Sequence, residues 1–563
     1  MQNNSLRTRS KFLFFIMMLS AFFLRFNNLN WDQGHFFHPD ERNIANAVSH
    51  IKLFSQLDPQ FYAYGGFLIY LYKITADIFS FIFSNPLLSS DWAFINLLGR
   101  HFSAFFSTLT LIPLYLVTRI VFQEKVALIT SILYTFTVSS IQTAHFSITE
   151  NFLTLSIVTL ILLALNFYKK HKISLVLWMG ILLGISAATK TTGISFAIVP
   201  LITLGILLKE KKLSIKKAFL FLIMILSIAV FIFTLSSPYT FLKWNKFRES
   251  MEFENSVVLG TNRVVYTLQF SDTKPYLFQL KNLFWQIGPV FVMSILGIIY
   301  LVYQFFKKPN ILFCILFIFP LLYFAYVGAW YAKFIRYMVP IIPFLLIAAS
   351  VSLAWIQQKF KILGIIIFVF FLTINIIWAV AFSSIYVREQ TRISASKWIY
   401  EHISPGSKIL TEHWDDGLPI PLGNKLPDQY QIRQLTIYEP DNASKIEYYA
   451  RELSQADYIF ITTRRLYGTL LHLPKKYPIT QRYYQLLFSG ELGYQKIAEF
   501  SSYPQILGIV INDDLTEETF QVYDHPKVLI FKNVNYYPEK IIKEKLRTTY
   551  FIFLNDNKNS KNV

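Results

Sequence analysis

The sequence predicts a polytopic α-helical membrane protein that carries a soluble α/β domain at its C-terminal end. Three observations lead there. Of 563 residues, 54% are hydrophobic and only 15% charged, against roughly 25% charged in soluble domains. Apolar runs long enough to cross a bilayer recur between short basic strings. Beyond about residue 385 the composition turns polar, and the apolar runs shrink to strand length.

A span needs about 17–25 mainly apolar residues. Eleven segments qualify: 10–27, 97–119, 126–144, 148–168, 173–189, 192–208, 218–236, 283–303, 311–327, 337–356 and 362–384. With the N-terminus inside, the inner loops are Arg119–Lys125, Lys169–Lys172, Lys209–Lys217, Lys307–Lys308 and Lys359–Lys361. Nearly every dense basic string then falls on the inner side, as cytoplasmic loops require. A twelfth apolar stretch, 61–83, would invert all later loops if it crossed. It also contains Gly65, Gly66, Lys73 and Asp77, and it reads as a juxtamembrane or re-entrant helix. Residues 28–96 are therefore expected to form one large outer loop, and 1–384 one membrane domain. Residues 385–550 read as an external soluble α/β domain, and 551–563 as a disordered Asn/Lys-rich tail. Within the soluble domain, Lys408–Thr411, Tyr458–Ile461 and Val528–Phe531 read as strands; Ser394–Glu401 and Ala443–Leu453 read as helices.

The net charge of +19 is spread over loops rather than gathered in one patch, which argues against a nucleic-acid partner. The single cysteine, Cys314, excludes an intrachain disulfide framework. Glu412-His413 with Asp415-Asp416 could hold a metal on paper, but an acidic turn is the simpler reading. No internal repeat is visible.

This topology collects ionisable residues at the outer ends of the spans. Asp40 and Glu41 follow the first. Arg100 and His101 open the second, and His145 and Glu150 flank the turn before the fourth. Lys190 lies between the fifth and sixth; Lys333 and Arg336 precede the tenth. Each has a plain structural alternative. Pro39, Asp40 and Glu41 start a helix running to about Phe54, where acids suit the N-terminal dipole. Ser147 and Glu150 have the spacing of a capping box. Arg100 and Lys190 could snorkel, and Trp330, Tyr331, Phe334 and Tyr337 could form an interfacial aromatic belt. Taken together, carboxylates and cations in one plane suit transfer from a lipid phosphate. A base must remove a proton from the incoming hydroxyl, and cations must stabilise the departing phosphate.

The motifs that carry a family likeness are His38-Pro39-Asp40-Glu41, Gly99-Arg100, His145-Phe146-Ser147 with Thr149-Glu150, Gly184 with Ser186 to Lys190, and Lys333-Phe334 with Arg336-Tyr337. Ser237-Pro238-Tyr239, Thr391-Arg392 with Ala395 and Trp398, and Tyr523-Asp524-His525-Pro526 extend it. The chain resembles family 39 glycosyltransferases of the GT-C fold, the group of the protein O-mannosyltransferases and the aminoarabinose transferase, in its bacterial form with an external C-terminal domain. The resemblance implies an integral cell-membrane enzyme that moves a monosaccharide from a polyprenyl-phosphate carrier to an acceptor hydroxyl with inversion. It implies Asp40 as catalytic base with Glu41 in support, and Arg100, Lys190, Lys333 and Arg336 at the donor phosphate. His38, His145, Glu150 and Tyr337 would support them. Family members differ in their use of a divalent metal, so no metal ligand is assigned. The acceptor could be a lipid, a glycan or a protein. The loop 237–282 is too short for the β-trefoil insert of eukaryotic members. Two alternatives stand beside this reading: a secondary transporter, and a GT-C polymerase or ligase using a diphosphate-linked glycan.

Overall fold

The computed structural model describes residues 2–547. The expected tail 551–563, and the last three residues of the expected soluble domain, lie outside the described residues. The chain divides into two compact units. The first comprises residues up to Asn30, then His38–Asn262 and Asp272–Ser383. The second comprises Trp31–Phe37, Arg263–Ser271 and the chain from Ser384 onward.

The first unit is a helical multi-pass membrane unit. Its helices are α1 (Gln2–Phe26), α2 (Pro39–His50), α3 (Gly66–Ile82), α4 (Trp92–Leu109), α5 (Leu111–Val121), α6 (Glu124–Thr135), α7 (Val138–Ala144), α8 (Glu150–Lys170), α9 (Ile173–Thr189), α10 (Ile198–Lys209), α11 (Ile215–Ser236), α12 (Tyr239–Leu242), α13 (Trp244–Leu259), α14 (Leu277–Ile287), α15 (Phe291–Lys307), α16 (Ile311–Val327), α17 (Ile342–Lys359) and α18 (Lys361–Val387). All eleven expected spans are helical, but they are not equivalent. Among the described residues, six stretches are long and apolar enough to cross a membrane unbroken, and two more qualify only as bent pairs. α9 and α16 are shorter apolar helices. The segment expected at 283–303 straddles the α14–α15 break, where the chain turns by 117° at Gly288-Pro289.

The other bent pair shows how a break within an apolar segment is tolerated. α6 and α7 meet at 51°, which leaves carbonyls at the end of α6 without helical partners. The buried guanidinium of Arg25, from α1, donates to the carbonyls of Tyr134 (2.9 Å) and Thr135 (3.2 Å), and to Ser107 Oγ (2.9 Å). Irregular backbone in a membrane protein persists only where such partners exist. The stretch 61–83 forms α3, whose Lys73 and Asp77 pair at 2.8 Å one turn apart. α3 packs against α2, α4 and α9.

The second unit is α/β. Five strands, β1 (Lys408–Glu412), β2 (Gln431–Leu435), β3 (Tyr458–Ile461), β4 (Tyr494–Phe500) and β7 (Val528–Asn533), form a sheet of order β2-β1-β3-β7-β4. β2, β1 and β3 run parallel; β7 is antiparallel to β3 and β4. A separate hairpin pairs β5 (Gln505–Ile506) with β6 (Ile509–Val510). Helices α19 (Thr391–His402), α20 (Ala443–Gln455), α21 (Arg465–Leu470) and α22 (Pro478–Ser489) complete it. The two early segments belong here for physical reasons. Leu268 is buried in the core of this unit, and Gln269 Nε2 donates to Glu517 at 2.7 Å. Arg392 lies 4.7 Å above the Phe37 ring.

Three buried groups shape the pH response of this unit: Glu412, His525 and Glu518, whose carboxyl burial also pushes up to about 8. Burial pushes the Glu412 carboxyl up to about 8, and the nearby Asp415 charge adds to the rise. The His525 ring lies between Asp524 (2.6 Å) and Asp513 (2.8 Å). Burial opposes its charge, but the two carboxylates raise it to about 10. In all three cases the folded form holds a proton that the unfolded chain releases. The Glu412 and Glu518 contributions fall as pH rises from 4.5 to about 8, and the His525 contribution falls from 6.5 to about 10. Hydrogen-exchange protection of β1, β3 and β7, corrected for intrinsic rates, is therefore expected to drop between pH 6 and 9. Glu412→Gln should make the lower half of that decline shallower, leaving the part that belongs to Glu518. Protection that is level or rising over this range would contradict the assignment.

Candidate active site

The site grows from the start of α2. Pro39 occupies the first turn of α2, and His38 is its N-cap, with Nδ1 accepting the Asp40 N–H at 3.2 Å. That bond requires a neutral ring. Burial supplies one by pushing the His38 imidazole down to about 4. Asp40 and Glu41 are neighbours in a helix, so their side chains diverge by about a hundred degrees. One enters the protein interior and the other turns to the site.

Glu41 goes inward and is fully buried. Its carboxylate meets the Arg100 guanidinium in a bidentate pair at 2.8 and 2.6 Å, and also accepts the Ser147 N–H at 2.7 Å. Arg100 is 2% exposed and gives a further hydrogen bond to the Leu29 carbonyl at 2.9 Å. Gly99 explains the neighbouring motif. A Cβ there would lie 1.9 Å from Ser147 Oγ, so only glycine lets the 145–149 loop come close enough to reach Glu41.

Asp40 is 14% exposed in its side chain, and its Oδ2 lies 3.2 Å from Arg336 Nη1. Burial alone would push its carboxyl up. The positive charge of Arg336, with Lys190 further off, outweighs burial and holds the carboxyl below its usual range. Lys190 ends α9 and donates to Glu150 Oε1 at 2.9 Å. Tyr337 joins the two pairs: Lys190 Nζ and Arg336 Cζ both lie 5.7 Å from its ring centre. Tyr64 adds a second ring, 5.2 Å from Lys190 Nζ.

The structure thus brings Asp40, Glu150, Lys190, Arg336 and Tyr337 together and sets other expected residues apart. Arg100, expected at the donor phosphate, meets the Glu41 carboxylate and the Leu29 carbonyl. Glu41, expected in support of the base, is the buried partner in that ion pair. Lys333 donates to the Tyr331 carbonyl in its own loop at 2.9 Å. The ring nitrogens of His145 face the carbonyls of Ile141 (2.8 Å) and Asn27 (2.9 Å), a role in joining segments. The expected capping box does not form. The N-cap of α8 is Thr149, without a side-chain cap, and the Glu150 carboxylate goes to Lys190 and to Thr149 Oγ1. Among the described residues, no group of three or more metal-ligating His, Cys, Asp or Glu side chains occurs.

Two residues escaped the sequence reading. Tyr64 stands beside Asp40, where burial first, and then the Asp40 charge, keep its phenol well above its ordinary range. Glu254 projects from α13 into the field of Lys190, Arg336 and Asp40; burial leads in raising its carboxyl. The available signal was Gly65, whose Cβ would meet the Ala188 carbonyl oxygen at 2.0 Å and which brings Tyr64 to the end of α9.

A family model described as dolichyl-phosphate-mannose-protein mannosyltransferase matches residues 94–236, which contain Gly99, Arg100, Glu150 and Lys190. Among solved structures, the chain is similar to the apo oligosaccharyltransferase of Archaeoglobus fulgidus, with a TM-score of 0.52 and 15% identity over 89% of this chain and 75% of that one. The archaeal oligosaccharyltransferase AglB from Archaeoglobus fulgidus, in complex with an inhibitory peptide and a dolichol-phosphate, gives 0.50 and 15%, over 90% and 75%. The chain is a glycosyltransferase of the GT-C fold. ArnT from Cupriavidus metallidurans bound to undecaprenyl phosphate shares 12% identity over 93% of this chain and 98% of that one, at a TM-score of 0.44. No curated protein sequence matches the chain.

The Glu41–Arg100 pair separates a structural role from a role at the phosphate. Breaking a buried pair by removing one partner costs about 3–5 kcal/mol, because the other charge stays buried. Arg100→Ala should therefore lower the thermal unfolding temperature of the purified glycosyltransferase in detergent by several degrees. Adding Glu41→Gln to it should recover part of the loss. A variant that melts like wild type but has lost turnover would return Arg100 to the donor phosphate.

Proposed function

We propose that this glycosyltransferase moves a monosaccharide from a polyprenyl-phosphate carrier to an acceptor hydroxyl at the outer face of the cell membrane, with inversion. The observation that carries the reading is one carboxylate, Asp40, beside two cations, Arg336 at 3.2 Å and Lys190 across the shared Tyr337 ring. Ionisable groups near lipid are costly and mark function. The neighbour solved with a dolichol-phosphate has the same fold and supports a lipid-phosphate donor.

In this reading Asp40 accepts the proton of the incoming hydroxyl as its oxygen bonds to the anomeric carbon. The bond from that carbon to the phosphate oxygen breaks, and the phosphate leaves with the electron pair. Its charge grows in the transition state, and Arg336 and Lys190 stabilise it. Glu150 holds Lys190 in place. Glu41 and Arg100 fix the start of α2 and so aim Asp40. The resemblance allows a lipid, glycan or protein acceptor; the short 237–282 segment, which contains α12 and α13, leaves no room for a β-trefoil. The basic loops favour a cytoplasmic N-terminus and an external C-terminal domain.

Transfer of radiolabelled sugar from synthetic polyprenyl-phosphate sugars to membrane extracts tests the base. Asp40→Asn keeps the size and removes the basicity, and turnover should fall by about a hundredfold or more. More than half of wild-type activity at equal membrane abundance would overturn the assignment.

The pH profile gives a second check. A carboxyl held below its usual range stays ionised across pH 5–7.5, so kcat/KM should show no acidic limb there. Arg336→Met removes the main opposing charge, leaves burial to act, and should move a limb up into that range. An acidic limb above pH 5 in the wild type would contradict the ion pair.

A further inference from the structure

We propose that the β5–β6 hairpin of the second unit is a lipid-binding finger that dips into the membrane interface beside the end of α18. The hairpin is small and apolar. Ile506 and Ile509 pair across it, and Leu507-Gly508 form its turn. Leu507 is 97% exposed, Ile509 66% and Val510 54%. Isolated exposed hydrophobes are ordinary, but three within four residues at a projecting tip are a patch that calls for a partner.

The turn residue strengthens the case. Both central positions have positive φ, 49° at Leu507 and 81° at Gly508. Such a turn favours Asn, Asp or Gly at its first position. Leucine is disfavoured in the left-handed region and gains nothing from packing here, since it touches almost nothing in the protein. Strain kept at an exposed apolar residue points to a use for that side chain.

The partner follows from where the hairpin is tied. Gln505 N–H donates to Ser384 Oγ at 3.1 Å. Arg388 Nη2 donates to the carbonyls of Tyr503 (2.5 Å) and Ser502 (3.3 Å). Ser384 lies in the last turn of α18, whose 27 residues are almost wholly apolar, and Arg388 follows its end. The base of the hairpin is therefore bound to the chain where it leaves the apolar span. A patch tied to that exit would meet lipid headgroups and upper acyl chains. A hairpin with open edges suits the interface, where water still reaches its backbone, rather than the hydrocarbon core. The inference goes beyond the catalytic reading and does not depend on it.

The test uses the full chain in lipid nanodiscs, in a Cys314→Ser background. Leu507→Cys and, separately, Ile509→Cys carry a nitroxide. Glu491→Cys is the control. It is exposed and lies beyond the opposite end of β4, about 20 Å further along the strand from the hairpin. Collisional relaxation is read with oxygen, which concentrates in lipid, and with a water-soluble nickel chelate. The labels at 507 and 509 should favour oxygen at least several-fold more than the label at 491, and paramagnetic lipid headgroups should broaden their spectra. Replacing an exposed side chain leaves the fold intact, and wild-type hydrogen-exchange protection of β4 confirms it for each variant. Nickel accessibility at 507 and 509 equal to that at 491 would overturn the proposal. So would shielding that appears only when membrane extract is added, which would assign the finger to a protein partner.

Discussion

One buried ion pair holds the candidate site in register. Glu41 and Arg100 meet bidentately with almost no exposure, and the same carboxylate takes the Ser147 N–H. Three pieces of chain, the start of α2, the α4 helix and the loop before α8, are thereby fixed to one another. Because Asp40 precedes Glu41 in the same helical turn, fixing Glu41 also fixes the direction in which Asp40 points. A charge pair is a poor source of net stability, since desolvation consumes most of the attraction. Its value here is geometric: rotation of α2 would strand a buried charge.

The same cost of uncompensated charge shapes the rest of the site. Asp40 has Arg336, and Glu150 has Lys190. Two carboxylates and two cations lie around Tyr337, with Glu254 approaching from α13. A phosphate that gains charge as its sugar leaves can draw on cations held in place by carboxylates rather than by flexible tethers. Such preorganisation stabilises a transition state without further reorganisation. Arg336 therefore has two neighbours in the proposed reaction: the base, whose ionised form it secures, and the leaving group.

Much of the membrane unit was legible because hydrophobic length is a strong signal. Every expected span is helical, though several are built from two helical pieces. The breaks were less legible. The α6–α7 bend depends on Arg25, more than a hundred residues away in sequence, reaching the freed carbonyls. In the second unit the three apolar strands β1, β3 and β7 were readable, and they occupy the middle of the sheet. β2 and β4 escaped notice because they are edge strands, with sequences QIRQL and YQKIAEF that alternate weakly. The site was half readable. The residue types and the clustering of Asp40, Glu150, Lys190 and Arg336 could be inferred, but the choice of partners could not. Nothing in the sequence says that Arg100 takes Glu41 while Arg336 takes Asp40, since both pairings satisfy the same topology. Tyr64 and Glu254 carry no motif, and only packing brings them near.

The central claim is that Arg336 serves the phosphate and Asp40 serves the proton, although the two side chains touch. Equilibrium binding of a polyprenyl phosphate to the purified enzyme and two variants tests this most directly. Arg336→Met should weaken binding by tenfold or more. Asp40→Asn should bind as tightly as wild type or more tightly, because it removes a negative charge beside the phosphate and releases Arg336. Weaker binding by Asp40→Asn, together with unchanged binding by Arg336→Met, would contradict the account.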